Sequence, residues 1–463
     1  MLEWAAIAAA RLAAVASRGL RLGGGTTLPG RIALALAPRI VSTLSSRLPR
    51  GVIVVSGTNG KTTTARLLGG ILDAAGLVTI HNRAGANLLS GIAAALVEQA
   101  SAFGRPRGEV GLFEVDEATL PAVVDATRPR VLILLNLFRD QLDRYGEIDL
   151  VAEGWRRALA AMPGEGTLVY NVDDPLVADV GREYGGRRIG FGLDDVPPRG
   201  DDHRAPEHAA DARYCYRCGR PYEFSLVTLG HMGHYRCAAC GTARPVPTVR
   251  ASGIRLRGAD GASATVTADR DVMRISTTLP GLYNVYDATA AAAGALALGV
   301  AGGPIEQGIA ATAPAFGRGE RVTVDGRETL FLLAKNPAGF NEVLRTVLFA
   351  DAAPVLVIAI NDLIADGRDI SWLWDVDFEM LRGRARAIVV TGLRAADMAL
   401  RLKYAGIDGA AVTVEPDGAA ALERARGMLR DGERLYVLPT YTAMLHLRAA
   451  LTRQGYVRGF WKE

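Results

Sequence analysis

One short stretch constrains this chain more than any other. The apolar, β-branched run Gly51–Ser56 (GVIVVS) leads into Gly57-Thr58-Asn59-Gly60-Lys61-Thr62-Thr63-Thr64, and a helical pattern over Thr62–Leu72 follows. A glycine-rich turn between a buried strand and a helix start is a cradle for phosphate. The glycines let backbone N–H groups face the anion, the helix N-terminus adds its dipole, and Lys61 adds a point charge. Thr62 stands where a hydroxyl can reach Mg²⁺. The loop is shorter than the common G-x-x-x-x-G-K-[ST] pattern, because position 55 is valine. Lysine is scarce: Lys61, Lys335, Lys403 and Lys462 are the only lysines among 53 basic residues. A lysine at the loop is therefore informative.

The rest of the pattern is α/β. Val110–Val115, Val131–Leu135 and Thr167–Tyr170 read as buried strands, with helices over Ile92–Gln99 and Val151–Ala161 between them. After Pro314 the alternation resumes with Pro354–Ile360, Ala387–Thr391 and Leu435–Pro439. Strands alternating with helices predict mostly parallel sheets covered on both faces, in two successive units.

A second local signal interrupts the first unit. Cys215 and Cys218 are separated by eighteen residues from Cys237 and Cys240. Two C-x₂-C knuckles at this spacing predict one tetrahedral zinc in a closed, structural site, with Gly219 and Gly241 completing the knuckle turns. His231 and His234 are surplus to such a site and are expected at the surface. All four cysteines are thereby used, so no free thiol remains for a cysteine-type glutaminase.

The first fifty residues carry seven arginines against Glu3 alone, a net +6 within a chain of net +4. Arg11, Arg18 and Arg21 fall within about 80° on a helical wheel. Two readings stay open: a helix packed on the next domain, or one lying on an anionic membrane. No run approaches the ~18–20 apolar residues of a membrane span, and a secretory signal fits poorly because the first charge is acidic. The chain is expected to be cytoplasmic. Its near-neutral balance argues against nucleic acid as a partner.

The shortened phosphate loop resembles that of the Mur ligase superfamily, the ATP-dependent amide-bond ligases. Five further elements are similar to family motifs in the right order. They are Glu114 in FEVDEATL, the run Asn136–Gly146 (NLFRDQLDRYG), Asn171–Pro175 (NVDDP), Gly281–Asp287 (GLYNVYD) and Gly317–Glu320 (GRGE). The resemblance implies ATP bound by Gly57 to Thr63 with Asn284, Asp287 and Arg318, Mg²⁺ on Thr62 and Glu114, and catalysis through Lys61 and Glu114.

Departures from the family pattern also inform. Gln141 replaces a usual metal-binding histidine, Tyr283 and Asp287 replace the His and second Asn of HNxxN, and Leu332 replaces a ribose-contacting Asp. With no lysine between Lys61 and Lys335, a carbamylated lysine has no candidate in the first unit, so one well-held Mg²⁺ is expected. Only 50 residues precede the first strand, fewer than the UDP-binding domain most peptidoglycan Mur ligases place there.

The cysteine insert and the run from Asn361 to Asp375 narrow the resemblance to the MurT family. That implies amidation of the D-glutamate α-carboxylate of the lipid II stem peptide through an acyl phosphate, with ammonia from a GatD-type glutamine amidotransferase. It also implies that an aspartate of the last domain completes the partner's triad; Asp366, Asp369 and Asp375 are the candidates. The expected organisation is a basic helical segment over 1–48, an ATP-binding central domain over 49–313 with the zinc ribbon at 212–245 inside it, and a Rossmann-like α/β domain over 314–463. The nearest rival is a two-domain ligase that adds glutamate to folate or a polymer. Such an enzyme needs no glutaminase.

Overall fold

The structure, a computed structural model, describes residues 2–19, 27–82, 85–101, 103–140, 148–197, 210–314 and 316–457. The β-branched run after Gly51 becomes β1 (Val52–Ser56), an inner strand of a nine-stranded sheet. Its other strands are β2 (Thr79–His81), β3 (Val110–Glu114), β4 (Val131–Leu134), β5 (Thr167–Asn171) and β6 (Arg187–Leu193). The cysteine insert supplies a separate hairpin, β7 (Glu223–Leu229) with β8 (Met232–Arg236). The large sheet then ends on β9 (Val249–Leu256), β10 (Ala262–Ala268) and β11 (Asp271–Thr277), in the order β11-β10-β9-β6-β5-β4-β1-β3-β2.

Pairing is parallel from β2 through β9 and antiparallel for β9–β10–β11. β1, β3, β4 and β5 are buried at every position, as a strand covered on both faces must be. Alternation divides them between two cores. Val52 and Val54 face the helices Leu89–Glu98, Leu120–Thr127 and Ile148–Ala161, whereas Ile53 and Val55 face Lys61–Ala74 and Leu282–Ala297. β10 alternates buried with half-buried residues, the mark of a sheet margin with one wet face.

A second sheet of six strands follows: β12 (Arg318–Val324), β13 (Arg327–Leu332), β14 (Val355–Ala359), β15 (Ala387–Thr391), β16 (Val412–Val414) and β17 (Leu435–Pro439). Its order is β12-β13-β17-β14-β15-β16, parallel except for the β12–β13 hairpin.

At the N-terminus, helices Leu2–Gly19 and Leu28–Leu36 pack together and onto Leu89–Glu98. Gly30 permits the close crossing, since a Cβ there would sit 1.7 Å from the Ser90 carbonyl oxygen. Of the two readings left open for this segment, Arg11 follows the first, a helix packed on the next domain. Its Nε donates to Val97 O at 3.2 Å and its guanidinium also reaches Ala100 O, at the carbonyl end of that helix where a cation is favoured. Arg21 and the Arg18 side chain lie outside the described residues. Among the described residues no helix is long and apolar enough to cross a membrane.

Candidate active site and metal centre

The phosphate loop lies at the C-terminal end of β1, where an open parallel sheet places its ligands. Two of its glycines are obligatory. Gly60 has φ +87°, and a Cβ on it would lie 2.1 Å from Asp287 Oδ1; one on Gly57 would lie 2.7 Å from the Leu135 Cβ. Thr58 and Asn59 are stitched to the loop after β4. Thr58 N donates to Asn136 O at 2.9 Å, Asn59 N to Asn136 Oδ1 at 2.9 Å, and Phe138 N to Thr58 Oγ1 at 3.0 Å.

The chemistry-bearing side chains converge here. Thr62 Oγ1 donates to Glu114 Oε2 at 2.8 Å. A hydroxyl and a carboxylate in contact at a helix start form the hard-oxygen donor pair that suits Mg²⁺. Lys61 Nζ pairs with Glu117 Oε2 at 2.9 Å and donates to Gly57 O. Burial works to raise the Glu117 carboxyl, but Lys61 and Lys335 hold it below the ordinary carboxylate range. Thr63 is buried on the same first turn.

The second sheet completes the cluster. Lys335 Nζ forms an ion pair with Asp140, and Asn336 Nδ2 donates to Asn59 Oδ1 at 2.9 Å. Burial would lower the Lys335 ammonium, yet Asp140 and Glu117 raise it, so it stays protonated. Lys61, Glu117, Lys335 and Asp140 thus alternate in sign across the seam between the sheets.

Glu117, Asp140 and Lys335 escaped the sequence reading as site residues. The signals were present: Glu117 lies three positions beyond Glu114, and Lys335 is one of four lysines.

Of the residues expected to bind ATP together with the loop, Asp287 packs against Gly60, and Arg318 is close enough to act on its carboxyl. Asp287 is pushed up to about 8 by burial, with Arg318 pulling the other way. Asn284 spends its amide on its own turn, donating to Pro280 O at 2.6 Å. Gln141 lies outside the described residues.

The four cysteines come together on the insert, with their Sγ atoms within 4.8 Å of one another. Cys215–Cys240 and Cys218–Cys237 are 3.6 and 3.5 Å apart, close to the ~3.8 Å edge of a tetrahedron with 2.3 Å zinc–sulfur bonds. Gly219 N and Gly241 N donate back to Cys215 O and Cys237 O at 2.8 and 2.9 Å, with φ of +70° and +75°. These are knuckle turns, and the donor set fits zinc.

His231 corrects the expectation of a surface residue. It is fully buried at the turn of the β7–β8 hairpin, its ring 4.4 Å from Phe138 and its Nε2 3.4 Å from Asp174 Oδ2. Asp174 also accepts from Leu137 N at 2.9 Å, and Asp211 accepts from Arg139 N at 2.9 Å. His234 is half-buried and bonds Leu193 O at 2.8 Å. The ribbon therefore props the loop carrying Asn136 and Asp140. Asp173 ties the same parts together from the other side, accepting from Arg244 Nε and Tyr286 OH at 2.6 Å each.

The three C-terminal aspartates separate clearly. Asp366 is buried and accepts from Thr442 N at 2.8 Å, so it anchors its loop to the helix Tyr441–Arg453. Asp369 is exposed and bonds Ser371 N and Oγ at 2.8 and 2.9 Å. Asp375 faces Arg139 at 3.8 Å.

Comparison with known proteins agrees with this architecture. Residues 55–213 match the Mur ligase middle domain and residues 333–444 the MurT ligase C-terminal domain. The chain is 33% identical to the lipid II isoglutaminyl synthase (glutamine-hydrolyzing) subunit MurT of Staphylococcus aureus (strain COL), over 98% of both chains. The chain belongs to the MurT family. The Streptococcus pneumoniae MurT subunit is 31% identical over 95% of each chain.

Solved structures extend the fold beyond MurT. A pseudomurein peptide ligase type C from Methanothermus fervidus aligns with a TM-score of 0.67 at 21% identity, covering 87% of this chain and 78% of that one. The MurF ligase of Thermotoga maritima in complex with ADP aligns at 0.63 and 12%, covering 90% and 85%. At such identities the likeness concerns the fold, which is that of the Mur ligases.

Proposed function

We propose that this chain is the ATP-consuming subunit of a lipid II isoglutaminyl synthase. It amidates the α-carboxylate of D-glutamate in the lipid II stem peptide to D-isoglutamine. The observation that carries this reading is the convergence of Lys61, Thr62, Glu114 and Glu117 on the helix start, with Lys335 arriving from the second sheet.

A carboxylate oxygen of the substrate attacks the γ-phosphorus, the bond to the β–γ bridging oxygen breaks, and ADP leaves. Lys61 exchanges Glu117 for the phosphate oxygens, and the loop N–H groups receive the charge that develops there. Thr62 and Glu114 would hold Mg²⁺, which when bound spreads the negative charge on the transferring phosphoryl group. Ammonia then attacks the acyl carbon, the carbon–oxygen bond to phosphate breaks, and the nitrogen sheds a proton to solvent.

The ammonia comes from a GatD-type glutaminase, since all four cysteines sit in the ribbon, where they would hold structural Zn²⁺. Asp369 is the residue we assign to the partner's triad. Its carboxylate is exposed, whereas Asp366 is committed inside the fold. Exposed Trp374 and Tyr404, whose rings are 5.6 Å apart, offer the partner an apolar footing on the same domain. ATP and lipid II place the complex in the cytoplasm at the inner face of the membrane.

The test supplies the purified complex with ammonium, magnesium and lipid-linked muropeptide. ADP release and a mass gain corresponding to amidation are expected, and Lys61→Ala should lower both by ~10³-fold or more. No ADP release, or incorporation of glutamate instead of ammonia, overturns the reading.

A further inference from the structure

The N-terminal helices leave a surface that the phosphate site does not use. In Leu2–Gly19 the buried side is Ala6, Ile7 and Ala10, yet the opposite side is apolar as well. Trp4 (60% exposed), Ala5, Ala8 and Leu12 (72% exposed) share a sector about 100° wide.

The neighbouring helix repeats the arrangement. Leu28–Leu36 buries Pro29, Gly30 and Ala33 and turns Leu28, Arg31, Ala35 and Leu36 outward. Beside them, the loop after Leu89–Glu98 presents Phe103, 87% exposed, between Ser101 and the exposed Arg105 and Arg107. That loop touches the first helix, since a Cβ on Gly104 would lie 3.6 Å from Ile7 Cδ1, and it is tied to the segment before β1, where Arg47 Nη1 donates to Gly104 O at 2.8 Å.

A contiguous apolar surface on a folded chain marks an interaction site. Its charge identifies what it meets. Glu3 is the only acid in residues 1–50, and Arg31, Arg39, Arg105 and Arg107 of the same helices and loops are exposed. Aromatic and leucine side chains accompanied by arginine match an anionic bilayer, where the rings enter the headgroup layer and the guanidinium groups meet phosphate.

We infer that the outward faces of helices Leu2–Gly19 and Leu28–Leu36, with the Phe103 loop, dock the protein on an anionic lipid surface. The inference deepens the proposed function, because a lipid-borne substrate is then met by an enzyme already on its membrane. The contact runs through Trp4 and Leu12, not through Arg11, which is turned inward to Val97 and Ala100. The partner glutaminase is assigned to the other domain, which leaves this face to lipid.

The experiment mixes the full chain, alone and with its partner, with sedimenting vesicles of phosphatidylcholine with or without phosphatidylglycerol. No nucleotide or substrate is added, so its outcome is independent of the ADP-release test. Wild type is expected to pellet with the anionic vesicles and to be released by salt. Arg31→Ser/Arg39→Ser should lower that partitioning about thirtyfold. Trp4→Ser/Leu12→Ser should lower it at least about tenfold, with an unchanged melting temperature because both side chains are exposed.

Three results would overturn the inference. One is wild type remaining in the supernatant with anionic vesicles. Another is both double variants binding as wild type does. The third is sedimentation equilibrium revealing a dimer that Trp4→Ser/Leu12→Ser dissociates, which would give the face to a second copy.

Discussion

The cysteine cluster and the phosphate site are built on opposite plans. Four thiols between Cys215 and Cys240 close on one another through two knuckle turns of one hairpin, with no position left for substrate. The phosphate site gathers Lys61, Glu114, Glu117, Asp140, Asp287, Arg318 and Lys335 from the units built on two sheets, and its Lys335–Asp140 ion pair crosses the seam between them. A structural metal centre can be local because it only has to hold. A transfer site assembled across two bodies can open to admit substrates and close to exclude water, which a single hairpin cannot do.

The contrast breaks if the ribbon is merely a staple for its own loop. His231 and Asp211 brace Phe138 and Arg139, and Phe138 bonds Thr58 of the phosphate loop. Stripping the metal with a chelator should therefore do two things. The melting temperature should fall by ~10 °C or more, since structural zinc binding is folding free energy. Nucleotide affinity, read with a fluorescent ADP analogue below the new transition, should fall as well. Loss of stability with unchanged affinity would make the two regions independent.

The seam itself can be tested at Lys335. Lys335→Met leaves Asp140 without its cation and removes one of two lysines from the cluster. Turnover should fall ~10²-fold, as for removal of one donor to a developing oxyanion. Affinity for ADP should change far less, because the phosphate loop stays intact. Lys335→Arg should recover only part of the rate, since a planar guanidinium does not place its charge as an ammonium does. Turnover within threefold of wild type in Lys335→Met would confine the chemistry to the first sheet.

The unequal legibility of these regions has physical causes. Buried parallel strands announce themselves because both faces must be apolar, and Val131–Leu135 and Leu435–Pro439 were readable to within a residue. The β9–β11 margin was missed because one face of it is wet, and its alternation is diluted by Gly253, Gly258 and Gly261. Lys61, Thr62 and Glu114 were legible because a strand–loop–helix motif is contiguous or nearly so. The Lys61–Glu117 pair and the Asp140–Lys335 pair are tertiary, 56 and 195 positions apart, and no local spacing encodes them. His231 is illegible for another reason: a count of metal ligands does not reveal that a hairpin tip plugs into a neighbouring core. Arg11 stayed open between protein and membrane because a helical wheel gives direction but not what lies there.

Asp287 offers the smallest and most diagnostic effect. It replaces an asparagine of the family pattern, packs against Gly60, and its folded carboxyl titrates at about 8 because burial outweighs the attraction of Arg318. Raised above its unfolded value, it holds a proton in the folded chain that the unfolded chain releases. That contribution to stability is complete below the ordinary carboxylate range of ~4, erodes as pH climbs, and is gone above about 8. The neutral form also places no negative charge beside incoming phosphates. Between pH ~6 and ~9 the melting temperature and the affinity for ADP should therefore decline together, and Asp287→Asn should flatten both slopes. If the variant keeps the wild-type slopes, the carboxylate is already ionised at neutral pH. Arg318 would then be its counter-ion, and the phosphate pocket would carry one positive charge fewer than the ion pairs at the seam suggest.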